Sequence, residues 1–528
     1  MSGKYTTGMA AQYGDGECIP VGVPLLSSQQ QGNVPVAYEV VPAYQPRTAI
    51  RETRNETKYK DAWAAVLFAV MFGAVSYVGA ANAGSALSSS TPPPSPAGGG
   101  GDGVNLTSAQ LHRLFSIGAA LLALGGFLSF GWLLVMIRLA ERMIRVTLQL
   151  TVGMYFALAA VLFVKFHSAV PAAVCALFGA ITLCYYYCVR RRIPFAGANL
   201  SVACSSVQEH RGTIGVAFLA LALQFGWMVL WSACAFHVYH QNDGEVSCSI
   251  NSRTGSNECT RKIAYGPYFG LLVSFYWGLQ VFRNVSHTTT AGAVGSWWFR
   301  PQDTAVVGGA LRRACTWSFG SICFGSLLVS ILRALEQIAQ NARGRDGEQN
   351  ALACVLQCIL GMIRSLLEWL NRWAFTYVGI YGYSFRVAGK AVFELFGDRG
   401  WTLIINDSLI ENTLSLVALM NGALCAGVGV GLVTAEKSSF SAAASSSGSS
   451  SNVFVQAQIT VAVVGFLIGI ATCTVVMSVV ESAVCTVFIA FAQDPNALRL
   501  SRPMVHHRLM QAYLSVHREI LQRCGYVR

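Results

Sequence analysis

Stretches of roughly twenty mostly apolar residues recur along this chain, and most of them stop at an arginine cluster or a polar loop. Runs of this length satisfy their own backbone polar groups inside a bilayer only as helices, because no water reaches the hydrocarbon core to do it for them. They lie at about 62–82, 111–137, 147–166, 169–189, 213–236, 266–286, within 304–335, and at about 351–370, 408–434 and 456–482. The pattern predicts an all-α, polytopic integral membrane protein with about ten transmembrane helices. Composition agrees: the chain is 53% hydrophobic and 12% charged, with a mean hydropathy of +0.47, whereas a soluble domain carries about twice that charge fraction. The net charge of +12 is scattered in short clusters between apolar runs, so it does not read as a nucleic-acid surface.

Orientation follows from those clusters. With both termini in the cytoplasm, Arg138, Arg142 and Arg145 fall on the cytoplasmic side, and so do Arg190, Arg191 and Arg192. The loop at 83–108 has no Lys or Arg and is expected outside, together with the glycosylation sequon at Asn105. Ten alternating crossings also place 336–350 outside, although Arg333, Arg343 and Arg345 flank or occupy it. The chain therefore divides into a disordered cytoplasmic tail at 1–57, a membrane domain at 58–490 and a cytoplasmic C-terminal tail at 491–528. An aromatic-rich amphipathic segment at 371–398 is expected to run along the membrane surface.

Most of the 16 cysteines lie in apolar runs and read as small buried hydrophobes. Cys248 and Cys259 instead share a polar loop between the fifth and sixth spans. They pair as a disulfide if that loop is outside, and are an incidental pair of thiols if it is not. No metal-ligand spacing is present, and no cofactor is expected.

The sixth span carries a polar line through apolar surroundings. Tyr276, Gln280, Asn284 and His287 stand four, four and three positions apart, so they share one helical face. Polar side chains at membrane depth avoid lipid and face a bundle interior or a wet pathway. In full, residues 280–299 read QVFRNVSHTTTAGAVGSWWF, which resembles the signature of the choline transporter-like family, solute carrier 44. Gln280, Asn284, His287, Thr289, Ala291, Gly292, Trp297 and Phe299 carry the match. Residues 320–335, NRWAFTYVGIYGYSF at 371–385 (with Phe375 where Tyr is usual), Asn406-Asp407 and ESAVCTVFIAFAQDP at 481–495 extend it.

The resemblance implies a transporter of choline or a related small organic cation, working by alternating access, and not an enzyme. The expected partners are a choline-like or ethanolamine-like solute and the lipid bilayer, with no nucleic acid, in a plasma membrane. A quaternary ammonium cannot donate hydrogen bonds, so aromatic faces hold it. Trp227, on one face with Gln224 and Trp231, supplies a ring, as do Tyr276 and the adjacent Trp277; each also suits plain packing. Glu481 ends the last apolar run and either balances a cation or snorkels to the interface. The substrate-binding set is thus Trp227, Tyr276, Trp277, Gln280, Asn284, His287 and Glu481. The rival reading is a membrane-embedded enzyme of lipid head-group metabolism, which would need clustered acids or histidines; the nine histidines are dispersed.

Overall fold

A computed structural model of the protein describes residues 59–88, 108–165, 167–241, 246–250, 257–261, 265–301, 304–343, 351–435, 450–494 and 497–516. The N-terminal tail and Asn105 lie outside the described residues. Helices carry nearly everything described: α1 (Ala62–Ser88), α2 (Ser108–Val164), α3 (Ala169–Val189), α4 (Ile193–Glu209) and α5 (Gly212–Gln241). A hairpin follows, β1 (Val246–Ile250) and β2 (Asn257–Arg261). Then come α6 (Tyr265–Phe299), α7 (Val306–Cys315), α8 (Phe319–Arg343), α9 (Ala351–Tyr381), α10 (Phe385–Ala435) and α11 (Ser450–Gln493). Two short helices close the described chain, α12 (Ala497–Ser501) and α13 (Pro503–Val516).

Seven of the described helices are long and apolar enough to cross a membrane. Their large side chains point outward in numbers that only a lipid environment tolerates, among them Val66, Phe127, Phe163, Val170, Phe225 and Ile459. The difference from ten has identifiable causes. The second and third predicted spans are one element, α2, with a kink at Leu139 (φ −119°, ψ 17°) where a loop was expected. Arg138 and Arg142 flank that kink and are helical. Neither α6 nor α9 is apolar enough to count, because each spends part of its length on polar, inward-facing residues.

Two further expectations are corrected. The segment within 304–335 is two helices: α7 is short and carries Arg312 and Arg313 in its last turn, and α8 alone is a span. The surface segment at 371–398 does not exist as one piece. Residues 371–381 finish α9 and are mostly buried, whereas 385 onward begins α10. Its aromatic rings, Trp373, Phe375, Tyr377 and Tyr383, belong to the core. Helix α4 lies where the sequence pattern gave no expectation, with thirteen of its residues buried. Small and polar side chains (Ala, Ser, Asn, Gly) make it look like a loop in sequence, yet they let neighbouring backbones approach closely. Ser201 Oγ donates to Ile137 O at 2.6 Å, fastening α4 to α2 just before its kink.

The main core joins α2, α4, α9, α10 and α11, with Trp297 and Trp298 of α6 and the terminal helix α13 built into it. Arg502 ties the C-terminal segment down: it stacks on Trp297 at 4.3 Å and donates to Glu209 Oε1 at 2.5 Å. At α1, the Asp61 carboxylate accepts from Ser321 Oγ at 2.8 Å and from Phe385 N at 2.9 Å, joining the starts of α1, α8 and α10. The loop holding Cys248 and Cys259 contains the antiparallel hairpin, in which these two residues stand directly opposite each other.

Candidate functional site

A polar cavity of about 780 Å³ lies within the helical bundle, between α5, α6, α8, α9, α10 and α11. Helix α6 supplies Gln280, Arg283, Asn284, Ser286 and His287; α9 supplies Glu368, Trp369, Asn371, Arg372 and Phe375. Glu411 comes from α10, and Ser478, Glu481 and Ser482 come from α11. Four of the seven sequence-predicted residues therefore meet here: Gln280, Asn284, His287 and Glu481. The helical face inferred from their spacing is the face that α6 turns toward the cavity.

The three aromatic candidates are elsewhere, for a shared reason. Indole N–H groups removed from water require an acceptor, and α6 offers backbone carbonyls. Trp231 Nε1 donates to Leu271 O at 3.1 Å, Trp227 Nε1 to Phe275 O at 3.2 Å, and Gln224 Nε2 to Leu279 O at 3.0 Å. The stripe at 224, 227 and 231 thus runs antiparallel along carbonyls 279, 275 and 271 and zips α5 to α6. Trp227 is 2% exposed, stacks on Phe72 at 4.9 Å, and occupies space that a side chain on Gly278 would close. Trp277 turns the other way, donating to Cys323 O at 2.9 Å with Phe68 against its edge. Tyr276 already has a cation over its ring, the Arg333 guanidinium at 5.9 Å. None of the three lines the cavity.

Sequence reasoning missed the centre of the ionic network. Arg372 pairs with Glu481 through Nη1 and with Asp407 through Nη2 at 3.0 Å. Glu481, which reads in sequence as a lone charge, is therefore paired. Trp369 Nε1 donates to the same Asp407 carboxylate at 2.7 Å. His287 bridges helices: Nε2 is 3.0 Å from Arg372 O and 3.1 Å from Thr376 Oγ1, while Nδ1 is 2.6 Å from Ser482 Oγ. A second cluster flanks the cavity, where Glu368 accepts from Arg333 and Arg364, both at 2.9 Å, and Arg364 also reaches Glu336 at 2.6 Å. Arg333 thereby belongs to an interhelical ion-pair ladder, which accounts for an arginine beside a segment expected outside.

Three carboxylates (Glu368, Glu411, Glu481) and two guanidiniums (Arg283, Arg372) line the cavity. After the pairs above, one charge of each sign remains. Neither Arg283 nor Glu411 has an ion pair or side-chain hydrogen bond among the described residues, and both side chains are exposed to the open space. The spacing held a signal for Arg283, since it falls three residues after Gln280 and four before His287 on the same face. Nothing local in the sequence marked Glu411 or Trp369; only the folding of α9 and α10 around α6 brings them to this space. Among the described residues no group of three or more metal-ligating side chains forms.

The rest of the α6 signature is packing. Gly292 and Gly379 let α6 and α9 touch: a Cβ on Gly379 would sit 2.6 Å from Thr288 O and 2.8 Å from Ala291 Cβ. Trp297 Nε1 donates to Glu209 at 2.6 Å and Trp298 Nε1 to Asp494 O at 3.0 Å.

Comparison with known proteins gives a consistent picture. Residues 173–496, more than half of the chain, match the family described as plasma-membrane choline transporter. A CTL-like protein of Dictyostelium discoideum is 26% identical over 467 residues, covering 86% of this chain and 76% of that protein. Protein PNS1 of Gibberella zeae is 27% identical over 478 residues, covering 88% and 84%. Protein PNS1 of Cryptococcus neoformans is 29% identical over 347 residues, covering 63% of this chain and 60% of the relative.

Proposed function

The chain belongs to the plasma-membrane choline transporter family of multi-pass membrane proteins, and from that premise we propose that it carries choline or a related small amine through the polar cavity. One observation carries the reading. Inside the bundle, the Glu411 carboxylate, unpaired among the described residues, shares a cavity with Trp369. A quaternary ammonium needs those two things: a negative charge to offset its own, and aromatic faces in place of hydrogen-bond acceptors. Gln280 and Asn284 sit on the facing wall, where a solute hydroxyl finds polar partners. Alternating access, cytoplasmic termini and a plasma-membrane location complete the proposal and rest on family resemblance and arginine placement.

Uptake of radiolabelled choline and ethanolamine into vesicles containing the purified protein tests it. Saturable uptake is expected. Glu411→Gln should lower apparent affinity by about tenfold or more, because a unit charge about 4 Å away is worth about 4 kcal/mol at an effective dielectric constant of about 20. Absence of saturable uptake by the wild type, or wild-type affinity in both Glu411→Gln and Trp369→Leu, overturns the assignment.

A further inference from the structure

A second space adjoins the polar cavity. It has a volume of about 1010 Å³, lies between α2, α5, α6, α8 and α11, and is lined mainly by apolar side chains, with Gln280, Arg283 and Arg333 at its polar side. Its outer wall includes Leu122, Phe225 and Met228, which are 55%, 64% and 37% exposed. On helices this apolar, exposed Leu, Phe and Met face lipid, so the groove is open to the bilayer. The two spaces share five wall residues: Leu221, Gln224, Gln280, Arg283 and Ala471. They are therefore adjacent, and Arg283 lines both.

An arginine at membrane depth without a hydrogen-bonded carboxylate is costly, and the other arginines lining or flanking the cavity avoid that cost. Arg372, Arg333 and Arg364 are each held by one or two acidic side chains. Among the described residues Arg283 alone in this group has neither an ion pair nor a hydrogen bond, and Glu368 and Glu411 act on it only through the longer-range field. A lone cationic solute gives it no partner and is repelled by it. A molecule that satisfies the whole arrangement has an ammonium for Glu411 and Trp369, an anionic group for Arg283, and an apolar tail for the groove.

We propose that the cavity receives the head group of a zwitterionic lysophospholipid, which enters sideways from the bilayer with its acyl chain in the apolar groove and its phosphate on Arg283. The proposal rests on the cavity being the amine site argued above, and it extends the ligand class from free amines to amphiphiles that carry the same amine. Arginine suits a phosphodiester because its planar fork presents two parallel N–H donors to two phosphate oxygens. The groove suits an acyl chain because it offers continuous apolar wall with an edge already in lipid.

Equilibrium binding to the purified full-length protein in nanodiscs tests this without requiring transport. The probes are radiolabelled lysophosphatidylcholine, phosphocholine and choline. Wild-type protein should bind the lysolipid at least tenfold more tightly than phosphocholine, because only the former fills the groove. Arg283→Gln should weaken lysolipid binding by about tenfold or more, the effect of losing a charge-assisted contact, and should tighten choline binding by removing a like charge. Met228→Trp, which adds bulk to the α5 wall of the groove, should lower the lysolipid-to-choline affinity ratio by about tenfold. If lysolipid binding is unaltered by both variants, or phosphocholine binds as tightly as the lysolipid, the proposal is wrong. If choline fails to bind while the lysolipid binds and responds to Arg283→Gln, the amine-carrier reading fails and the lipid site stands.

Discussion

Two walls of the same cavity treat charge in opposite ways. On the wall built by α9, α10 and α11, Arg372 is locked between Glu481 and Asp407, and Asp407 is further held by Trp369. On the α6 wall, Arg283 faces the open space with no ion pair among the described residues; Glu411, although on α10, is likewise unpaired among them. A guanidinium with two carboxylates and an indole around it is a structural joint between three helices. A guanidinium with none is held in reserve for water or a ligand. The contrast separates residues that keep the cavity's shape from residues that act on what enters it.

Breaking the joint should have the largest effect. Arg372→Met leaves Glu481 and Asp407 uncompensated inside the bundle, and removing one member of a buried ion pair typically costs about 3–5 kcal/mol. Thermal unfolding of the detergent-solubilised protein should show that loss, and adding Glu481→Gln with Asp407→Asn should restore a large part of it. If Arg372→Met were as stable as wild type, the paired wall would not be a joint. The next effect concerns the distance between the walls. Gly379→Ala forces a methyl into Thr288 and Ala291 of α6, an overpacking of about 1–3 kcal/mol. The same unfolding assay reads it, and a neutral outcome would mean that α6 and α9 slide freely.

A smaller effect sharpens the boundary between the walls. Trp369 belongs to the joint through its N–H and to the cavity through its ring. Trp369→Leu should reduce choline affinity by about 0.5–2 kcal/mol, while Trp369→Phe, which keeps a ring, should lose less. Equal losses in the two would assign the residue to the joint alone.

The smallest effect lies outside the cavity, where the C-terminal helix α13 packs on α4. Burial, with Arg499 and His507 nearby, lowers the pKa of His506 below its ordinary 6.5. The unfolded chain then takes up a proton more readily than the folded one, so stability is full above about pH 6.5 and declines as pH falls below it. The protection factor of the α13 amides, corrected for the intrinsic pH dependence of exchange, should fall modestly between about pH 7.5 and about pH 5.5, and His506→Gln should flatten the change. A pH-independent protection factor in the wild type would remove His506 as the cause.

Legibility in the sequence followed distance along the chain. The α6 face was readable because Gln280, Asn284 and His287 are three or four residues apart, and helical periodicity alone puts them side by side. Arg283 was readable by the same rule and was passed over. The Trp227 stripe was legible as a stripe but not as to what it faces. An indole in an apolar bundle serves as well for zipping α5 to α6 as for holding a cation, and the choice depends on where the α6 carbonyls lie. The hidden helix α4 escaped because its small residues signal close packing only once the partner backbone is present.

The sequence by itself determined that this is a helical membrane protein, which of its faces are polar, and which family signature it carries, since hydropathy and spacing are properties of local chain. Only the tertiary structure decided which charges are paired and which stand open. Arg372 and Glu481 are separated by 109 positions, Arg372 and Asp407 by 35, and the facing Ser482 and His287 by 195. Ion pairing depends on distances of a few ångströms in space, and no local pattern encodes a contact between residues that far apart in sequence.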